Sequence, residues 1–407
     1  MAEFLYGHVY FHDRFVGLLR QEPGERCSFT YDGEFLRKPE AIAVSLPPQT
    51  DAHIYPGRLH PFFDNLLAEG RQAAVQARWL GVPVEDRFAR LLAFGGDCIG
   101  AVTVRDPKPR LAAGEMPESA EDIAAIISRA SISGVQAKLL AVQTETGFRP
   151  ARAGELSTHI AKLSSGSLRE IIQLEQLSTL AARILLPDDE VAEMQIAGVK
   201  GIAEECLLIR RFDRPREGGA ISKRHFEEFN QILGHISDDK YVGKYADMAD
   251  VLRRNPRCSL LDVDRLFRRI LVSILLGNND AHLKNFGLLY SGEELRLSPF
   301  YDVLAAALYH EYSQTGMALQ LGPGTNPTSM AGIGQPHLTA LTNSFGMKSA
   351  ALREATQDLG RRIETAQDAV REAPHGSRAL KSQLVDYMGK RWNGTFKPLI
   401  NSTGRRS

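Results

Sequence analysis

Apolar positions alternate with polar ones at the start of the chain and move to helical spacing towards its end. Leu5, Gly7, Val9 and Phe11, followed by Phe15, Val16 and Gly17, predict a hairpin over residues 5–19 with its turn at His12 to Arg14. Strands are expected at 29–31 and 42–46, the second stopped by Pro47 and Pro48. Apolar residues at helical spacing over 62–67 lead into a helix at 72–80 ended by Gly81 and Pro83, then a helix at 88–94 and a strand at 101–104. Residues 106–117 hold three prolines and few large apolar side chains, which marks a boundary.

Beyond it the two periods mix. A helix is expected at 120–130, strands at 139–142 and 158–163, and a helix at 168–186 striped by Ile171, Leu174, Leu177, Leu180 and Ile184. Strands follow at 191–199 and 205–212, with a turn at 198–201. From His225 helices dominate, at 226–233, 241–252, 264–276 and twice within 348–388. The pattern is α+β, with a β-rich part (1–110), a mixed part (111–213) and a helical part (214–407), and a cleft is expected where the last two meet.

Composition narrows the function classes. Basic and acidic side chains balance at 49 each, so no overall field argues for direct contact with nucleic acid or an anionic membrane. Cys27, Cys98, Cys206 and Cys258 are widely spaced, against a zinc site or disulfide framework and in keeping with a reducing cytosol. The first ten residues lack the pattern of a secretion signal, and no apolar run approaches the ~20 residues that span a bilayer. A cytoplasmic protein is expected.

The chemistry concentrates at 277–302. An apolar run to Leu276 turns at Gly277 into Asn278, Asn279, Asp280, Ala281, His282, Leu283, Lys284, Asn285 and Phe286. Asp280 and Asn285 have the separation of the acid and amide in a protein-kinase catalytic loop, where Asp orients the acceptor hydroxyl and Asn holds magnesium. A hairpin over 286–297 with its turn at Ser291–Gly292 could bring Asp302 back beside Asn285, giving one base and two oxygen ligands for a hard cation. An Asp and an Asn in a loop also serve as turn chemistry, each capping its own backbone, so the pair alone leaves both readings open.

Two weaker signals lie upstream. Ser131, Ile132, Ser133, Gly134, Val135 and Gln136 form a small-residue loop that could lie against phosphates or could equally be an ordinary turn with solvent-facing serines. Lys162 sits among apolar neighbours, where it would either snorkel to water or point inward to phosphate with Glu175 holding it; spacing alone favours the surface reading.

These stretches, SISGVQAK at 131–138, THIAKL at 158–163, RRFDR at 210–214, GNNDAHLKNF at 277–286 and FYDV at 300–303, resemble the HipA family of kinase-fold toxins in their order. AIAVSLPP at 41–48, FFDNLL at 62–67 and GDCIGAVTV at 96–104 extend the resemblance over almost the whole chain. It implies a two-lobe, protein-kinase-like fold and a serine/threonine kinase using ATP and Mg²⁺. Asp280 would then be the catalytic aspartate, Asn285 and Asp302 the metal ligands, Lys162 the phosphate lysine and Glu175 its orienting partner. Ser133, Gly134, Val135 and Gln136 would line the phosphates, and Ser131 or Ser133 would be autophosphorylated. Lys284 would lie near the transferred phosphate, His282 would be structural, and backbone around Arg210 and Phe212 would touch adenine, Arg210 standing where a glutamate might be expected.

The resemblance further implies a helix-turn-helix antitoxin of HipB type as partner, DNA reached only through it, and a protein substrate such as an aminoacyl-tRNA synthetase. Two other classes stay open on the residues alone. One is a non-catalytic kinase-fold module acting as a corepressor, against which the intact Asp280, Asn285, Asp302 and Lys162 argue. The other is a kinase for small molecules.

Overall fold

The computed structural model describes residues 4–109, 113–128, 136–164, 168–324 and 329–401. The chain divides into two compact units, one of residues 1–165 and 194–240, the other of 166–193 and 241–407. Ser131, Ser133, Gly134 and Val135 lie outside the described residues.

The first unit holds two antiparallel sheets. Strands β1 (Tyr6–Phe11), β2 (Arg14–Glu22), β3 (Arg26–Tyr31), β4 (His53–Tyr55) and β5 (Val102–Arg105) order as β4-β3-β2-β1-β5. His12 and Asp13 join β1 to β2 with φ of 46° and 62°, the left-handed conformations that a tight turn between right-twisted strands requires. Against this sheet lie α1 (Pro61–Asp64) and α3 (Arg87–Phe94), and Val9, Phe11, Phe29, Phe62, Phe63 and Leu91 form its core, while α2 (Gly70–Leu80) packs on α3. Left-handed Gly81 closes α2, as its position after the apolar stripe predicts.

The second sheet orders β6 (Lys138–Thr144), β7 (Gly147–Pro150), β8 (His159–Lys162), β9 (Met194–Gly198) and β10 (Glu205–Arg210) as β7-β6-β8-β10-β9. Helix α4 (Ala120–Ile127) packs on β6. The short pairs β11 (Arg216–Glu217) and β12 (Ala220–Ile221), then β13 (Phe226–Glu228) and α6 (Phe229–Ile232), complete the unit.

Two expectations fail here. Residues 42–46 form no strand, although Ile42, Ala43 and Leu46 are fully buried. Their backbone is satisfied by side chains instead: Tyr31 Oη donates to the Leu46 carbonyl at 2.6 Å and accepts from Ile42 N at 3.3 Å, and the Glu227 carboxylate accepts from Val44 N at 3.0 Å. Residues 226–233 are half strand and half helix, because the helix starts only where Glu228 and Gln231 close a capping box.

One buried ionic network ties the first unit together. Arg211 donates to both Asp213 oxygens at 2.9 and 2.7 Å, to Ser157 Oγ at 2.9 Å and to the Cys98 carbonyl at 2.7 Å. Arg214 donates to Asp97 Oδ1 at 2.6 Å and to the carbonyls of Cys98 and Gly100. Burial opposes ionisation of Asp97, yet the two guanidiniums outweigh it and hold its carboxyl at about 2. Burial likewise raises the thiols of Cys27 and Cys98 to about 12, which makes them inert packing groups.

In the second unit α5 (Ile171–Leu185) packs against α11 (Ser349–Glu372), with α7 (Tyr245–Arg254), α8 (Leu260–Leu276), α9 (His310–Ser313), α10 (Gln335–Ser344), α12 (Arg378–Arg391) and α13 (Lys397–Asn401) around them. The hairpin of β14 (Gly287–Ser291) and β15 (Glu294–Leu297) follows α8. Helix α7 starts four residues later than its apolar spacing suggests, after Gly243 at φ 125°. Among the described residues no helix is long and apolar enough to cross a membrane.

Candidate active site

Helix α8 delivers the polar loop. Its last two turns are buried and apolar but for Ser273, and Gly277 ends it at φ 84°, with the amides of Gly277 and Asn278 both donating to the Ser273 carbonyl. A Cβ at Gly277 would stand 2.8 Å from the Tyr387 ring, so both backbone and packing demand glycine. Asn279 Nδ2 then donates to the Tyr312 carbonyl at 2.9 Å and Thr315 Oγ1 at 2.6 Å, which pins the start of the loop.

Asp280 is exposed, and its Oδ1 accepts from Tyr241 Oη at 2.9 Å. Tyr245, fully buried, donates to the Ala281 carbonyl at 2.9 Å, and burial raises its phenol well above the usual range. His282 opens a short 3-10 turn over Leu283–Asn285 and accepts from Lys284 N through Nδ1. Its ring meets Tyr241 edge-on, with centroids 5.1 Å apart.

The same turn fixes Asn285. Its Oδ1 accepts from His282 N at 2.9 Å, an N–H that only an oxygen can satisfy, so the amide orientation is set and Nδ2 faces Asp302 Oδ2 at 2.6 Å. The β14–β15 hairpin closes this gap. It registers Leu288 with Leu297 and Ser291 with Glu294, and the Ser298 amide donates to the Gly287 carbonyl. Phe286 and Phe300, at the two feet of the hairpin, stack at 6.3 Å. Arg269 braces that base, paired with Asp189 at 2.6 Å and donating to the Ser298 carbonyl.

Asp302 sits at φ 58°, left-handed and non-glycine, a conformation that costs about 1–2 kcal/mol and persists only where the surroundings impose it. Tyr301 Oη donates to the Lys284 carbonyl at 2.7 Å, so the turn and the segment after the hairpin are joined twice. Lys284 itself is buried.

The donor chemistry of Asn285 and Asp302 fits a hard cation. Asn285 Oδ1 keeps a second lone pair beside the one given to His282, and Asp302 adds a carboxylate. Among the described residues no group of three His, Cys, Asp or Glu could hold a metal ion, so the chain offers part of a coordination shell rather than a cage. Mg²⁺ is held in that way, with phosphate oxygens and water completing its octahedron.

The remaining candidates lie in the first unit, apart from Glu175. Lys162 ends β8 and is only 5% exposed, so the surface reading that spacing favoured is wrong: the sheet takes this lysine inside. Register places Lys138 of β6 directly opposite it, also buried, which sets two cationic side chains side by side on one sheet face. Lys138 closes the SISGVQAK stretch at 131–138, but only strand pairing brings it opposite Lys162. Gln136 Nε2 donates to the Leu163 carbonyl at 2.8 Å, next to the same strand end. Glu175 is fully buried on α5 in the second unit. Arg210 is exposed at the end of β10, and the Phe212 ring meets Phe226 edge-on at 5.2 Å.

Comparison with known proteins supplies the family. The HipA N-terminal domain matches residues 7–105 and the HipA-like C-terminal domain residues 130–367. A Sinorhizobium fredii protein named "Putative kinase Y4mE" is 28% identical over 396 residues, covering 86% of this chain and 93% of its own. The serine/threonine-protein kinase toxin HipA of Shewanella oneidensis is 25% identical over 342 residues, 75% of each chain. A chain of the Shewanella oneidensis MR-1 complex of HipA, HipB and operator DNA superposes with a TM-score of 0.78 at 21% identity, over 97% of this chain and 99% of that one, and so shares its α+β fold. With both family domains present in order, this chain belongs to the HipA family.

Proposed function

We propose that this protein is an ATP- and Mg²⁺-dependent serine/threonine kinase acting as the toxin of a toxin–antitoxin pair. The observation that carries the reading is the Asn285–Asp302 pair, joined at 2.6 Å with Asp302 in a strained backbone conformation, on the same loop as an exposed carboxylate, Asp280. Backbone strain of this kind is kept where a side chain must be aimed.

Phosphoryl transfer asks a protein for position and charge more than for covalent chemistry. Asp280 takes the proton of the acceptor hydroxyl as that oxygen bonds to the γ-phosphorus, and the bond to the bridging oxygen breaks with its electron pair leaving on ADP. Asn285 and Asp302 hold Mg²⁺, which when bound neutralises charge on the phosphate oxygens. Lys162 meets phosphate charge, with Lys138 as a second cation and Gln136 at the adjoining loop with Ser133, Gly134 and Val135. Glu175 orients Lys162, Lys284 serves the transferred group, and backbone near Arg210 and Phe212 takes adenine.

Ser131 or Ser133 is the proposed autophosphorylation site, where about −1.5 to −2 added charges would compete with nucleotide phosphate. The partner is a helix-turn-helix antitoxin of HipB type, through which DNA is reached, and the substrate a translation component such as an aminoacyl-tRNA synthetase. The complex of Shewanella HipA with HipB and operator DNA supports the partner.

The test is phosphate incorporation from radiolabelled ATP by the purified protein, together with growth on expression. Asp280→Ala and Asp302→Ala are each expected to cut incorporation by about 10²–10⁴-fold and to relieve growth arrest. Full activity in either variant would show the chemistry to be misassigned, and no incorporation by the native protein would leave a binding module.

A further inference from the structure

We propose that Tyr241 is a positioning residue for Asp280, its phenol holding one carboxylate oxygen so that the other is turned to the acceptor hydroxyl. The inference deepens the kinase reading and rests on it.

Two tyrosines four residues apart reach the same loop and differ in burial. Tyr245 is fully buried and bonds a backbone carbonyl, that of Ala281, at 2.9 Å, which is scaffold chemistry. Tyr241 is 49% exposed and bonds a side chain, Asp280 Oδ1, also at 2.9 Å. Water would satisfy both partners at such an exposed place, so folding does not need this bond. Its geometry is nevertheless specified, because the ring also packs edge-on to His282 at an interplanar angle of 80°. His282 in turn caps the turn that carries Asn285. One aromatic ring therefore contacts the loop on both sides of Ala281, and its hydroxyl fixes the torsion of the carboxylate between them.

The consequence is orientational. An exposed aspartate on a loop samples several rotamers, and only some direct an oxygen at the acceptor. With Oδ1 held by the phenol, Oδ2 is the oxygen that accepts the hydroxyl proton as the oxygen–phosphorus bond forms. The phenol donates its hydrogen bond to Oδ1 and takes no part in the proton transfer.

Full-length Tyr241→Phe and Tyr241→Ala should be compared with the native protein, using [γ-³²P]ATP with Mg²⁺ as the probe and following phosphate incorporated across ATP concentrations. Tyr241→Phe keeps the ring on His282 and is expected to lower the maximal rate roughly tenfold, with the half-saturating ATP concentration unchanged within about twofold. Tyr241→Ala should lower the maximal rate further. An undiminished maximal rate in Tyr241→Phe, or a fall matched by an equal change in half-saturation, overturns the assignment while leaving the kinase reading intact. A native protein that incorporates no phosphate overturns the kinase reading and this assignment together.

Discussion

The end of the RRFDR stretch and the loop after α8 are built from similar side chains and treat charge in opposite ways. In the first, Asp97, Arg211, Asp213 and Arg214 are almost wholly buried and satisfy one another and nearby carbonyls. In the second, Asp280 is left exposed, Asp302 is held in a strained conformation and an amide stands between a backbone N–H and a carboxylate. A closed network stores its charge where no ligand is needed, whereas an aimed and half-open one has room for something else. Residue type does not separate the two; burial and satisfaction do.

Substitutions and acid sharpen that contrast. Asp97→Ala strips two buried guanidiniums of a shared acceptor, and urea unfolding should show a loss of about 3–5 kcal/mol. Asp280→Ala should stay within about 0.5 kcal/mol of the native protein in the same measurement, since the side chain is exposed. Equal losses would break the comparison.

Acid should act on the closed network in the same direction. The folded carboxyl of Asp97 titrates at about 2 and that of Asp213 is lowered, both below the unfolded value near 3.9. Their contribution is therefore present above pH ~4 and lost as pH falls towards ~2, on the order of 2 kcal/mol for Asp97. Denaturation midpoints taken from pH 5 to pH 2 should fall through that window, and Asp97→Asn should flatten the fall. A moderate effect belongs to the turn that feeds the loop: Gly277→Ala, at φ 84° and against the Tyr387 ring, should cost about 1–2 kcal/mol in thermal unfolding.

Local rules made part of the site readable. The return of Asp302 to Asn285 follows from alternating apolar residues on either side of Ser291 and Gly292, because a hairpin needs only neighbours in sequence. The inward course of Lys162 was not readable, since a lysine among apolar residues looks the same whether it snorkels or is buried. Lys138 opposite Lys162 depends on register between strands about twenty residues apart. The strand expected at 42–46 failed because distant acceptors and donors, Tyr31 and Glu227, took its backbone groups.

The sequence by itself determined the α+β order of elements, the family, and which acids, amide and lysine stand out as candidates, because periodicity and motif spacing are properties of short segments. Only the tertiary structure decided which charges are sealed and which are presented. Arg211 and Arg214 meet Asp97 across more than a hundred residues, and Tyr241 meets Asp280 across 39. Those meetings are set by how elements pack, and a side chain's solvation, which governs its chemistry, exists only once they have packed.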